Sequence, residues 1–125
     1  MAKRAFKYKG VEIDKLKELS LNEFMKLTTS RVRRTLSRGF TDQQKILLKK
    51  IRSGKKNVKT HQRDMIILPE FVGEKISIHN GKAFVTITIM PEMVGHFLGE
   101  YVLTRVKAKH SVSTAGPKKK VVKRK

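Results

Sequence analysis

The sequence contains no cysteine and no tryptophan, and only 10 of its 125 residues are acidic. Without cysteine, disulfide bonds and zinc sites with thiolate ligands are excluded. No apolar run approaches the roughly 20 residues that a membrane-spanning helix needs, and residues 1–7 lack the apolar core of a secretory signal. These absences favour a small intracellular protein with one domain, no membrane partner and no expected homo-oligomer.

Basic residues dominate what is present, since 30 lysines and arginines give a formal net charge of +20. They are unevenly spread, with 17 basic and 5 acidic residues in 1–56, 7 and 5 in 57–110, and 6 and none in 111–125. A chain with this excess repels itself, and a polyanion is the usual partner that relieves the repulsion. We therefore predict a nearly neutral folded body whose basic flanks bind a polyanion.

The clearest structural pattern is a pair of alternating runs joined by Asn80-Gly81, which predicts an antiparallel hairpin of strands 74–80 and 82–89 with a type I′ turn. Alternation with a period of two places Ile76 and Ile78 on the core face. The predicted register pairs His79 with Lys82, Ile78 with Ala83, Ser77 with Phe84 and Ile76 with Val85. The expected fold class is α+β, with N-terminal helices followed by a small antiparallel sheet built on this hairpin.

Capping boxes predict where two of the helices begin. Ser20 with Glu23 forms one such pattern, and Thr41 with Gln44 forms another that opens a helix of about residues 42–52. In both, a hydroxyl and a carboxylate or amide three residues later satisfy the first free backbone N–H groups of the helix.

The chain is predicted to divide into an arm at 1–12, a single domain at 13–110 and a disordered basic tail at 111–125. Within the domain, 13–56 is the helical basic part and 57–110 the sheet core. The arm is expected either to become ordered on a partner or to be a frayed terminus.

The candidate binding residues are basic side chains with few acidic neighbours. Two helical groups stand out, and a solvated helix face is the alternative for both: Arg31, Arg33, Arg34 and Arg38 in the first, and Lys45, Lys49, Arg52 and Lys56 in the second. The four arginines of the first group lie within eight residues that include no acid, and guanidinium groups match the geometry of phosphate oxygens. We therefore predict that these side chains contact phosphate.

Further contacts with the polyanion are predicted for the sheet core and the C-terminal segment. In the sheet core they are Arg63, His79, Asn80, Lys82, His96, Thr104 and Arg105, and towards the C-terminus they are Lys107, Lys109, Lys118, Lys119 and Lys120. These groups suit recognition by shape and phosphate rather than by base sequence.

No pattern of a catalytic, metal or cofactor site is found. The four histidines make no metal-ligand spacing with one another or with a carboxylate, and neither a P-loop nor a nucleophile elbow is present. We expect no enzyme activity and no cofactor. Two alternatives stay open from composition and residue types, a DNA-compacting protein and a ribonuclease that uses His61 or His96.

Five blocks in order give the chain a close resemblance to the family of the nineteenth protein of the small ribosomal subunit, numbered fifteen in eukaryotes. They are Pro69-Glu70-Phe71-Val72-Gly73, Ile78-His79-Asn80-Gly81-Lys82, Pro91-Glu92-Met93-Val94-Gly95-His96, Leu98-Gly99-Glu100-Tyr101 and Thr104-Arg105. Arg33-Arg34 and Arg38-Gly39-Phe40-Thr41 resemble the archaeal and eukaryotic branch.

The resemblance implies a structural protein in the head of the small subunit of a cytoplasmic ribosome, where it supports translation. It implies binding to the 3′ major domain of the small-subunit ribosomal RNA, contact with protein thirteen of the same subunit, and a C-terminal tail directed at the decoding-site transfer RNA. The family fold is α+β with a small antiparallel sheet. The chain departs from bacterial members at His61, where they have an aromatic residue, and at 107–111, which only loosely matches their Arg-Gly-His ending.

Overall fold

The computed structural model describes residues 6–108, and its elements begin with a short hairpin and four helices. Strands β1 and β2 are followed by the helices, with these bounds: β1 Lys7–Tyr8, β2 Val11–Glu12, α1 Ile13–Glu18, α2 Leu21–Leu27, α3 Ser30–Ser37 and α4 Asp42–Arg52. A three-stranded sheet comes next, with β3 at Val58–Thr60, β4 at Lys75–His79 and β5 at Phe84–Thr88. Single 3₁₀ turns lie at Pro69–Phe71, Pro91–Met93 and Leu98–Tyr101. The α+β class predicted from the sequence is confirmed.

Both predicted capping boxes are present. The Ser20 hydroxyl accepts from the Glu23 amide while the Glu23 carboxylate accepts from the Ser20 amide, which starts α2. Thr41 and Gln44 make the same reciprocal pair at the start of α4. These helix starts were predictable because both partners lie within four residues of each other.

The three-stranded sheet is mixed rather than wholly antiparallel, so that part of the prediction was wrong. β3 pairs in parallel with β4, and β4 pairs antiparallel with β5. The chain returns from β3 to β4 through residues 61–74, whose segment Met65–Leu68 is at most 3% exposed. This crossover is long enough to allow the parallel pairing, and it contains a single 3₁₀ turn in place of the usual α-helix.

The register of the β4–β5 hairpin differs from the predicted one by two residues. Ile78 pairs with Val85 and Ile76 with Ile87, because the side chain of Asn80 accepts the amide protons of Lys82 and Ala83 at 2.9 and 2.8 Å and closes a longer loop. A shift of two keeps every side chain on its face. Ile76 and Ile78 are accordingly fully buried, as predicted.

Residues 7–12 form a hairpin, whereas the sequence suggested an arm without regular structure. β1 and β2 pair antiparallel around Lys9 (φ 47°) and Gly10 (φ 87°), so two successive residues have the positive φ of a type I′ turn. The Tyr8 ring packs 6.1 Å from the Phe24 ring, and burial raises the pKa of the Tyr8 hydroxyl. Residues 1–5 of the predicted arm and the whole predicted tail lie outside the described residues.

One hydrophobic cluster connects the helices to the sheet. Each helix contributes buried side chains, and the sheet and the segments around it contribute the rest: Leu16, Phe24, Val32, Leu36, Leu47, Leu48 and Ile51 from the helices, and Met65, Phe71, Ile76, Ile78 and Leu98 among the others. Phe97 and Tyr101 pack against this cluster. The basic helices are therefore fixed to the sheet by their apolar faces.

Candidate nucleic-acid interface

The strongest concentration of positive charge lies on α3, α4 and the segments beside them. Residues 24–63 contain 13 basic residues and a single acidic one, Asp42. The fold exposes these basic side chains because the apolar residues of both helices face the core. Val32 and Leu36 of α3, for example, are each 4% exposed. The outward faces of α3 and α4 are therefore predominantly cationic.

The predicted binding residues of α3 and α4 differ in whether they already have an acidic partner in the fold. The side chains of Arg34, Arg38, Lys49 and Lys56 are exposed and have no carboxylate within salt-bridge distance among residues 6–108. Arg31 lies with its guanidinium carbon 5.2 Å from the centroid of the Phe97 ring, an arrangement that leaves its charge uncompensated. These five side chains are able to contact phosphate without first leaving an ion pair.

Two of the predicted residues are already paired with acids. Arg52 donates to both carboxylate oxygens of Glu70 at 2.9 Å, and this hydrogen bonding and charge raise the pKa of Arg52. Lys45 lies 3.2 Å from Asp42, one turn earlier on α4. Both pairs are exposed, so their net energies are small, but each neutralises part of the cation's field.

Arg33 is exposed, but its guanidinium contacts the C-terminal end of α2. Its guanidinium donates to the carbonyl oxygens of Met25, Lys26 and Thr28 at 3.1–3.2 Å. These are among the last carbonyls of α2, which have no partner inside the helix. Arg33 thus joins α3 to α2, which the sequence analysis did not predict. Its position six residues after the end of α2 could have suggested a contact with the free carbonyl groups there.

Arg63 is also engaged in the fold. It donates to the carbonyl oxygens of His79 at 2.8 Å, Gly99 at 2.7 Å and Val102 at 2.5 Å. The three acceptors belong to the end of β4, to the last 3₁₀ turn and to the residue after it. No local pattern could have predicted this, because the partners lie 16 to 39 residues away.

The remaining predicted residues occupy the hairpin loop and the C-terminal side of the described chain. Asn80 closes the loop, and Lys82 in the same loop is exposed. His96 is exposed, and its Nδ1 lies 2.9 Å from a carboxylate oxygen of Glu100. Thr104, Arg105 and Lys107 are exposed, whereas Lys109, Lys118, Lys119 and Lys120 lie outside the described residues.

Among residues 6–108, no group of three or more histidine and acidic side chains has the geometry to hold a metal ion. Across the same residues, no helix is both long enough and apolar enough to span a bilayer.

The chain is similar to a known protein family and to a curated archaeal protein. The family model described as ribosomal protein S19 matches residues 34–110. The protein named "Small ribosomal subunit protein uS19" from the archaeon Saccharolobus solfataricus (strain ATCC 35092 / DSM 1617 / JCM 11322 / P2) is 51% identical over 111 residues, which cover 84% of this chain and 79% of that protein. The matched regions include α4, the whole three-stranded sheet and all three 3₁₀ turns.

Proposed function

The chain belongs to the ribosomal protein S19 family, in its archaeal-type branch, and we propose that this structural protein of the small ribosomal subunit binds ribosomal RNA through the exposed cations of α3 and α4. The observation that carries the proposal is the set of exposed side chains without acidic partners among residues 6–108: Arg31, Arg34, Arg38, Lys49 and Lys56. Arginine forks and lysine ammonium groups at such positions bind phosphate oxygens and release counterions from the RNA.

The contacts of these cations favour recognition of RNA by its shape. Arg31, Arg34 and Lys49 lie on α3 and α4, and Arg38 and Lys56 follow the C-terminal ends of these helices. The apolar faces of both helices are buried in one core, so the backbone positions of the helical cations are fixed before RNA binds. A rigid array of positive charges selects phosphates that a folded RNA holds at matching distances, without reading the base sequence.

A finer placement of the protein is proposed from the resemblance of its motifs to the family. We propose a position in the head of the small subunit of the cytoplasmic ribosome, on the 3′ major domain of the RNA and beside protein thirteen. Lys118, Lys119 and Lys120 would extend towards the decoding-site transfer RNA, and Lys107 and Lys109 would contact RNA on the way. Protein crosslinking on intact subunits, mapped by residue, tests these neighbours.

The salt dependence of RNA binding tests the α3–α4 proposal. The affinity of the full chain for a transcript of the 3′ major domain is measured between 50 and 300 mM salt (about the range over which phosphate contacts respond most). The double variant Arg34→Gln/Arg38→Gln should bind more weakly, and the slope of log affinity against log salt should fall by roughly 1 to 2, about one for each lost phosphate contact.

The matched control is Lys15→Gln/Lys17→Gln, which removes the same charge from α1, where Asp14 and Glu18 are neighbours. We expect the control to keep the slope of the unaltered chain. Equal slopes for both double variants would contradict the assignment to α3. Equal affinity for duplex DNA would favour the DNA-compacting alternative, and cleavage of the transcript that disappears in His61→Ala/His96→Ala would favour the ribonuclease.

A further inference from the structure

Three rings form a cluster on the outward face of the three-stranded sheet, and phosphate binding by α3 and α4 does not explain it. His61 follows β3, His79 ends β4, and Phe84 begins β5 directly opposite His79. The ring centroids lie 4.5 Å apart for the two histidines, 5.1 Å for His61 and Phe84, and 4.9 Å for His79 and Phe84. We name these three side chains the aromatic cluster.

The aromatic cluster is at the surface. Phe84 is 39% exposed, His61 is exposed, and His79 is half-buried. Phe84 occupies an outward position of an edge strand, opposite in face to the buried Ile76 and Ile78, so the core gains little from its ring. Exposed rings on a sheet are the surface on which RNA-binding folds stack unpaired bases.

Positive charge adjoins the rings. The Lys59 ammonium lies 5.5 Å from the centroid of the Phe84 ring. Beside it, a groove of about 220 Å³ separates α4 from β3, and its polar lining includes Lys50, Lys59, His61 and the amides of Gln43 and Gln62. No acidic residue lines this groove. Its electrostatic character therefore fits a phosphate, and its amides fit the donor and acceptor edge of a base.

One ring of the aromatic cluster is held in place by the hairpin loop. The Gly81 amide donates to Nδ1 of His79 at 3.0 Å. In the neutral ring the proton is then on Nε2, which becomes a hydrogen-bond donor. The backbone of the same residue is fixed by Arg63, which donates to its carbonyl oxygen. His79 is thus oriented before any ligand arrives.

We propose that the aromatic cluster and the adjoining groove hold one unpaired nucleotide of the RNA, with its base stacked on the exposed rings and its phosphate between Lys50 and Lys59. The inference rests on the proposed RNA-binding function and adds a base contact to the phosphate contacts of α3 and α4. A base inside a duplex has no free face, so the nucleotide belongs to a bulge or loop. Stacking accepts any base, which makes this a contact with RNA shape.

The first experiment replaces the ring but keeps apolar bulk. Phe84→Leu should weaken binding of the full chain to the 3′ major domain transcript by about tenfold, the loss expected when one base–ring stack is removed. Because no phosphate contact is lost, the plot of log affinity against log salt should shift in parallel, with its slope unchanged. His61→Ala should act in the same direction.

Phe6→Leu is the matched control. Phe6 is 38% exposed, nearly the same as Phe84, and lies before β1 instead of on the three-stranded sheet. The control should bind the transcript as the unaltered chain does, and both leucine variants should have the urea midpoint of the unaltered chain. Equal RNA affinity for Phe84→Leu, His61→Ala and Phe6→Leu would overturn the inference.

The second experiment identifies what covers the aromatic cluster in the assembled particle. Photoreactive benzoylphenylalanine is placed at position 84 of the full chain, which is then incorporated into small subunits and irradiated. Crosslinking to an unpaired nucleotide supports the inference, whereas crosslinking to a helical nucleotide or to a neighbouring protein overturns it.

The two proposals fail in different ways. An unaltered chain that does not bind the transcript would overturn both. An unaltered chain that binds with the expected salt slope, together with a Phe84→Leu variant that binds equally well, would overturn only the stacking of a base.

Discussion

Replacing Arg63 with alanine should destabilise the folded chain more than replacing Arg34 or Arg38, which are exposed and make no side-chain hydrogen bond among residues 6–108. The Arg63 guanidinium donates three hydrogen bonds, to the carbonyl oxygens of His79, Gly99 and Val102. These acceptors lie at the end of β4 and in residues 99–102, and among residues 6–108 no other side chain hydrogen-bonds to both segments. Loss of the guanidinium leaves three carbonyl groups without their donor.

The size of the effect follows from these three bonds. A hydrogen bond to a charged group contributes about 1.5–3 kcal/mol, and we reduce this to about 1 kcal/mol each because Arg63 is only half-buried and water replaces part of the loss. The expected cost is about 3 kcal/mol, a large share of the roughly 5–15 kcal/mol that stabilises a typical domain. At roughly 4–8 °C per kcal/mol, the melting temperature should fall by about 12–24 °C.

Urea denaturation of the full chain measures the free energy of unfolding. Arg63→Lys keeps the charge but not the planar guanidinium fork. We therefore expect its free energy of unfolding to lie between those of the unaltered chain and Arg63→Ala. Arg38→Ala is the control, because Arg38 is exposed and has no acidic partner among the described residues; it should change stability by less than about 0.5 kcal/mol. If Arg63→Ala changed the urea midpoint no more than Arg38→Ala does, the assigned role of Arg63 would be wrong.

Two further predictions concern Gly95 and the exposed carboxylates. Gly95→Ala should lower the free energy of unfolding in urea more than Gly73→Ala does. Both positions have positive φ (82° and 94°), which costs an alanine about 1–2 kcal/mol, but only at Gly95 would the new Cβ lie 2.6 Å from the Tyr8 hydroxyl oxygen. Equal costs would contradict the close packing of β1. Hydrogen bonds and the positive charges of Lys7 and Lys15 lower the pKa of Glu12, and hydrogen bonds from Ser20 lower the pKa of Glu23. Both carboxylates therefore stabilise the fold at a pH above their ordinary pKa of 4.5, and they lose that effect as the pH falls through their lowered pKa values. The urea midpoint should therefore decrease below about pH 4.5, Glu23→Gln should decrease less steeply, and identical profiles for the two proteins would refute the contribution of Glu23.

What the sequence could predict was local. The starts of α2 and α4 depend on residue pairs three positions apart, Ser20 with Glu23 and Thr41 with Gln44, and both formed as expected. Alternation placed Ile76 and Ile78 on a core face for the same reason, since the faces of a strand depend only on its own residues, but it did not predict that Ser77 on the opposite face is also buried.

What the sequence missed depends on competition or distance. Asn80-Gly81 suggested a two-residue turn, but the Asn80 side chain bonded the amides of Lys82 and Ala83 and shifted the register by two. The parallel partner of β4 was missed because its pairing spans the crossover of residues 61–74. Basic character alone could not separate Arg63, which serves the fold, from Arg38 on the surface.

The arginines that hold the fold also determine where the exposed cations point. Arg33 ties α3 to the end of α2, and this fixes the helix that carries Arg34 and Arg38. Arg63 ties the end of β4 to the segment that leads towards Arg105. Because these guanidinium groups hold elements of the fold together, the backbone that carries the surface cations is ordered before any ligand binds, which lowers the entropic cost of the proposed phosphate contacts. Counting basic residues therefore overstates the number of side chains that are free to contact RNA, and we expect removal of Arg33 or Arg63 to weaken several of the proposed contacts at once.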